Sequence, residues 1–189
     1  KDRAEAEAKL SEARKADRAI VLDVLCKEIA QEAPLLYDLT TLQRDANVRL
    51  GFSADKTLSL AQSLYEKQLI SYPRTGCRYI GSDLFEQIPS LLALLETHPV
   101  LGACALALKD SALNTHSVDD TKLTDHHALV ITENVPGALP EDEQAIYELI
   151  GARMCEAFSG KCIKAVTTVS LICGGVPFQG KGIAVRTAG

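Results

Sequence analysis

No stretch of this 189-residue chain approaches the roughly 20 consecutive apolar residues needed to span a bilayer, so no membrane-spanning helix is expected. Nor does the start carry the apolar core of a secretory signal, because Lys1 opens a polar run, KDRAEAEAKLSEARK. The cysteines at 26, 77, 104, 155, 162 and 173 never form a CxxC pair, which argues against a zinc ribbon or a disulfide scaffold. Scattered thiols of this kind are expected as small buried apolar groups of a cytoplasmic protein. A phosphate-binding Walker loop is missing too: in GFSADKT, Asp55 stands where glycine is required. There is no internal repeat and no low-complexity segment. Residue 1 is not methionine, and the expectation is a segment excised from a longer polypeptide.

What is present is an ordinary globular composition, 47% hydrophobic and 24% charged, enough for one large domain or two small ones. The net charge of −5 by itself argues against nucleic acid as a partner. Its distribution says otherwise. Residues 42–80 hold Arg44, Arg49, Lys56, Lys67, Arg74 and Arg78 against three acids, and residues 81–150 hold two lysines against twelve acids. A basic segment beside an acidic one leaves DNA contact open.

AEAEAKLSEARK, rich in strong helix formers with interleaved charge, predicts a solvated helix. AIVLDVLCKEIA alternates apolar and polar positions after a β-branched start and predicts a strand, which Pro34 ends. A helix is expected over 39–50 with Gly51 just beyond it, and another over about 54–67 capped by Ser53. Leu60, Ala61 and Leu64 lie at helical spacing and should face the core. The chain then runs extended through LISYPR. A helix follows Ser82, with Pro89 marking a kink or break, and residues 90–108 again have helical spacing. Residues 109–125 read as a long polar loop, 128–132 as a short buried strand, and PEDEQAIYELIGARMCEAFSG as the most strongly marked helix. The remainder, β-branched and hinged on Gly174-Gly175, predicts a hairpin. The expected architecture is mixed and mainly α: a helical domain over 34–160, inserted in a β-rich domain built from 1–33 and 161–189.

LISYPRTGCRYI, residues 69–80, carries the chemistry. Pro73 pushes Tyr72 to an extended conformation, and residues two apart in an extended chain project to one side. Tyr72 and Arg74 should therefore share a face, a phenol beside a fixed positive charge. A tyrosine side chain ionises near pH ~10, so as a nucleophile it gains from a guanidinium that favours phenolate and grips phosphate. Spacing alone does not separate this from a half-buried aromatic in a turn with Arg74 in a surface ion pair. Tyr37, Tyr65, Tyr79 and Tyr147 default to packing, though an exposed one could stack on a base. Adjacent residues of a strand face opposite sides, so His126 and His127 are poorly placed to share a metal, and no metal site is expected.

YPRTGCRYI resembles the active-site motif of type IA DNA topoisomerases, especially the topoisomerase III-like branch. PLLYDLTTLQRDANVRLGFSADKTLSLAQSLYE (34–66) is similar to the run leading into that motif, and TDHHALVIT (124–132) to the histidine motif after it. The chain departs from the pattern at Gly76, often Asp in the family, and at Ile131, usually Pro. The resemblance implies the central-domain fold of those enzymes, a tyrosine domain set in a partial arch. It implies Tyr72 as the nucleophile that forms a 5′-phosphotyrosine, Arg74 as the arginine on the scissile phosphate, and His126 as a backbone-phosphate contact. It also implies Gln43, Arg44 and Arg78 as supporting or DNA-binding residues. The expected partners are single-stranded DNA and the remaining domains of the same polypeptide, with the chain itself a monomer. The expected cofactor is Mg²⁺, held by a Toprim domain outside this chain and not by these residues, so the chain alone is expected to be inactive. Two rival readings stay open: a tyrosine recombinase-like strand transferase, which would leave a 3′ link, and a non-catalytic DNA-binding module.

Overall fold

The computed structural model describes residues 2–189, and among them the fold is mixed α/β. The chain divides into two compact units, one of residues up to Gln31 together with Lys161–Gly189, the other Glu32–Gly160.

In the first unit, α1 (Arg3–Arg14) starts on Asp2, whose carboxylate accepts the Ala4 amide hydrogen at 2.9 Å. Three antiparallel strands follow in the order β1 (Ala19–Gln31), β2 (Cys162–Cys173), β3 (Val176–Thr187), so residues from both parts of the chain share one sheet. The β2–β3 turn is Gly174-Gly175, with φ of +57° and +76°, the paired left-handed conformation of a two-residue hairpin turn. The alternation read in β1 does not produce a buried face. Every residue of β1 is exposed, because within this unit α1 meets the sheet only at the hairpin end, near Ala13 and Val176.

The second unit holds α2 (Leu39–Leu50), α3 (Ala54–Glu66), α4 (Ser82–Phe85), α5 (Ile88–Leu94), α6 (Gly102–Leu108) and α7 (Glu141–Phe158). Ile146, Ile150, Met154 and Phe158, four residues apart along α7, are fully buried and form the spine of the core. A buried side chain of that size contributes roughly 1.5–3 kcal/mol. Ala61 and Leu64 of α3 join this core, and Leu60 packs at its edge. Asp38 and Thr41 form a reciprocal capping box at the start of α2, Gly51 ends it at φ +72°, and Ser53 caps α3.

Three expectations need correction. Residues 82–108 form three short helices, with Pro89 in the first turn of α5, where its missing N–H costs nothing, and His98-Pro99 breaking the next segment. The 128–132 segment is not a strand but a pair of isolated bridges, Leu129 to Tyr37 and Ile131 to Ile70. Its partners come from single residues of two different segments, so no continuous ladder forms. Finally, Cys77 and Cys155 are buried as expected, but Cys162 and Cys173 are half-buried and Cys26 and Cys104 exposed.

Candidate active site around Tyr72

Tyr72 owes its position to the way α3 ends. Leu69 N–H donates to the Leu64 carbonyl at 2.9 Å and Gln68 N–H to the Tyr65 carbonyl at 2.8 Å, the crossed pair of a Schellman motif. Gln68 takes the left-handed position at φ +59°, where glycine is usual. The chain therefore reverses sharply and runs back along residues 128–132. Ser71 N–H donates to the Val130 carbonyl at 2.9 Å and Thr132 N–H to the Leu69 carbonyl at 3.1 Å. The Ser71 hydroxyl joins in, donating to the Ala128 carbonyl and accepting from Val130 N–H, each at 3.1 Å.

Beyond Ser71 the extended segment alternates. Pro73, Thr75 and Cys77 are buried; Arg74 and Gly76 are exposed, and Tyr72 is half-buried. Period-two burial turns Tyr72 and Arg74 outward on the same side of the segment. The buried set anchors it. Thr75 carbonyl accepts from Leu39 N–H at 3.0 Å, its hydroxyl donates to the His126 carbonyl at 3.3 Å, and Cys77 Sγ reaches the Lys122 carbonyl at 3.4 Å. These bonds draw the histidine loop onto the tyrosine segment, leaving the Tyr72 and His126 ring centroids 4.5 Å apart. Tyr65 lies on another side, 5.4 Å away and nearly perpendicular at 78°. Among the described residues neither the Tyr72 hydroxyl nor the Arg74 guanidinium has a hydrogen-bond or ion-pair partner. A half-buried phenol and an exposed, five-donor guanidinium thus stand two residues apart along this segment.

The other candidates are placed differently. The Nδ1 of His127 lies 2.7 Å from the Ala128 carbonyl, and the ring lines a cleft of about 750 Å³ with Ser71, Gln68 and Asn134. Gln43 donates to the Ala54 carbonyl at 3.1 Å, fastening the α2–α3 corner. Arg44 is exposed on α2, 3.7 Å from Asp45. Arg78 donates through Nε to the Leu36 carbonyl at 3.1 Å and through Nη2 to that of Leu35 at 3.3 Å. Two of its donors are therefore spent on backbone. The structure brings Tyr72 and His126 into contact and does not bring Gln43 or Arg78 to them. Among the described residues no group of three or more His, Cys, Asp or Glu side chains could hold a metal ion, and no helix is long and apolar enough to cross a membrane.

The family model described as DNA topoisomerase matches residues 1–189. The chain belongs to the type IA DNA topoisomerase family. DNA topoisomerase 3 of Bacillus licheniformis is 38% identical over 175 residues, covering 90% of this chain and 24% of that protein. DNA topoisomerase 3 of Bacillus subtilis is 38% identical over 162 residues, covering 83% of this chain and 22% of that protein. The structure of full-length topoisomerase I from Thermotoga maritima shares the fold, with a TM-score of 0.70 at 23% identity over 94% of this chain and 30% of that one. The chain spans about a quarter of the length of the curated relatives it matches. Within this topoisomerase segment, the sequence pointed to Tyr72 and His126 but gave Tyr65 only a default packing role, or base stacking if exposed, and it is exposed. Its one sequence signal is its place on the last turn of a helix that stops just before the nucleophile candidate.

Proposed function

We propose that this chain is the nucleophile-bearing part of a type IA topoisomerase, in which Tyr72 cuts and reseals one DNA strand. Tyr72 Oη attacks a backbone phosphorus of single-stranded DNA, forming the tyrosyl O–P bond as the bond from phosphorus to the 3′ oxygen breaks. The phenolic proton ends on the released 3′ hydroxyl. The 5′-phosphotyrosine link keeps the energy of the broken ester, so attack by the 3′ hydroxyl reverses the reaction without ATP. Arg74 grips the scissile phosphate and offsets the charge that builds on its oxygens, and His126 offers a donor to the same backbone. What carries this reading is the ring contact of Tyr72 with His126, centroids 4.5 Å apart, two residues before an exposed Arg74.

Type IA enzymes use Mg²⁺, but the donor set around Tyr72 contains no carboxylate cluster fit to hold it. We assign the metal's ligands to a Toprim domain of the longer polypeptide. The two units correspond in this reading to the tyrosine domain and to part of the arch into which it is inserted. Gln43 and Arg78 then serve as scaffold, while exposed Arg44 remains a DNA contact.

The test is covalent trapping on an end-labelled single-stranded oligonucleotide by the full-length enzyme. Wild type is expected to carry label on the 5′ phosphate side of the cut. Tyr72→Phe is expected to trap nothing, and Arg74→Ala to cleave about a hundredfold more slowly. A 3′ link would establish recombinase-like chemistry instead, and trapping that survives Tyr72→Phe would leave the chain a DNA-binding module.

A further inference from the structure

An in-line attack needs the phenol oxygen held in one direction, yet no hydrogen bond fixes the Tyr72 hydroxyl among the described residues. Orientation must come from the ring's neighbours. His126 is one, but it is exposed on a loop. Tyr65 is the other, and it stands on firmer ground. It occupies the last turn of α3, and that turn is pinned to α7. Ser63 donates to Glu143 at 2.9 Å, and Lys67 pairs with the same carboxylate, which is buried. The left-handed turn at Gln68 then brings Tyr72, four residues further on, against the Tyr65 ring in edge-to-face contact. Tyr65 is itself 39% exposed and its hydroxyl has no partner among the described residues, so neither core filling nor a hydrogen bond there explains it.

We propose that Tyr65 is a positioning residue for the nucleophile, a helix-held ring that fixes the direction in which Tyr72 presents its oxygen. The inference rests on Tyr72 being the nucleophile. The ring, not the hydroxyl, performs the task. Tyr65→Phe should therefore behave as wild type, while Tyr65→Leu, which keeps the apolar bulk and suits the helix, should not.

The experiment is single-turnover cleavage of a single-stranded oligonucleotide by the full-length enzyme, at saturating DNA, with DNA affinity measured separately. Tyr65→Leu is expected to cleave about tenfold more slowly, a loss of ~1.4 kcal/mol, with unchanged affinity and an unfolding midpoint near wild type. Tyr65→Phe is expected to restore the rate. Tyr65→Leu cleaving at the wild-type rate overturns the proposal. So does a loss confined to affinity, which would make Tyr65 a base-stacking platform, or an equal loss in Tyr65→Phe, which would give the hydroxyl the chemistry. Tyr72→Phe runs beside these variants: if it still forms the covalent link, the nucleophile assignment itself falls, and if it does not, the Tyr65 result stands alone.

Discussion

Arg153 shows how much of this structure depends on one charged side chain. It projects from α7 with its side chain only 9% exposed, donating to Asp45 at 2.7 Å and to the Leu35 carbonyl at 3.2 Å, with its guanidinium stacked 4.1 Å over the Tyr37 ring. Tyr37 in turn donates to Asp45 at 2.8 Å, and burial pushes its phenol well above the ordinary tyrosine range. Burial works against the Asp45 carboxylate as well, but the Tyr37 hydrogen bond and the Arg153 charge together outweigh it and hold its pKa below the usual value. Because the folded value is the lower one, the stability Asp45 contributes is complete above its unfolded pKa, about 4, and is lost as pH falls through the folded value. Arg153→Met takes from Asp45 its nearest cation, leaving Arg44 at 3.7 Å, and from the Leu35 carbonyl one of its two donors, leaving Arg78. It is expected to cost about 2–4 kcal/mol at neutral pH, somewhat discounted because Asp45 retains 19% exposure, and to weaken the acid dependence. Urea unfolding of both proteins at pH 7 and pH 4 checks the two effects.

At the scale of an element, α3 ends within a residue of where the sequence placed its end, but through a turn that its residues do not announce. A Schellman stop normally carries glycine at the left-handed position; here that position is Gln68, at φ +59°. The residue is exposed, so its side chain gains little from packing, and the left-handed backbone costs ~1–2 kcal/mol for a residue with a Cβ. Gln68→Gly is expected to stabilise the fold modestly, by under about 1 kcal/mol, because glycine also frees the unfolded chain. A β-branched residue at the same place meets more crowding, and Gln68→Val should lose about 1–2 kcal/mol. Thermal unfolding should rank the three Gly, Gln, Val; a Val variant as stable as wild type would contradict the strain assigned to this turn. The helices that were legible, α2 and α7, carry ordinary signals: Asp38 with Thr41 and Gly51 bracket one, and three acids at 141–143 open the other. The segment 82–108 was only half legible, since apolar spacing marked the helices without showing that four residues would be the whole of α4.

Across the molecule the two units differ in how they are held. The 32–160 unit has a spine of fully buried side chains on α7, whereas β1 exposes Ile20, Val21, Leu22 and Val24 and β3 exposes Ile183 and Val185. A three-stranded sheet that buries so little has few contacts to resist local opening. Amide hydrogen exchange of this chain in solution should therefore be slowest in α7 and orders of magnitude faster along β1 and β3, even though those strands pair with β2 along most of their length. Equal protection of β1 and α7 would show that the sheet draws stability from something other than its own side-chain burial.

Periodicity, caps and turn glycines lie within a few residues of one another, and by themselves they determined most helices, the hairpin at Gly174-Gly175 and the outward pairing of Tyr72 with Arg74. Three short motifs were enough to place the chain among the type IA topoisomerases. Only the tertiary structure decided which of those residues meet. That His126 reaches Tyr72 follows from hydrogen bonds between segments about fifty residues apart, and that Arg78 turns to the Leu35 and Leu36 carbonyls follows from a contact of similar reach. Tyr65 stands against Tyr72 because a left-handed Gln68 folds the chain back on α3. Such contacts depend on the packing of distant elements, and local sequence, which records what each residue prefers, does not record what it will face.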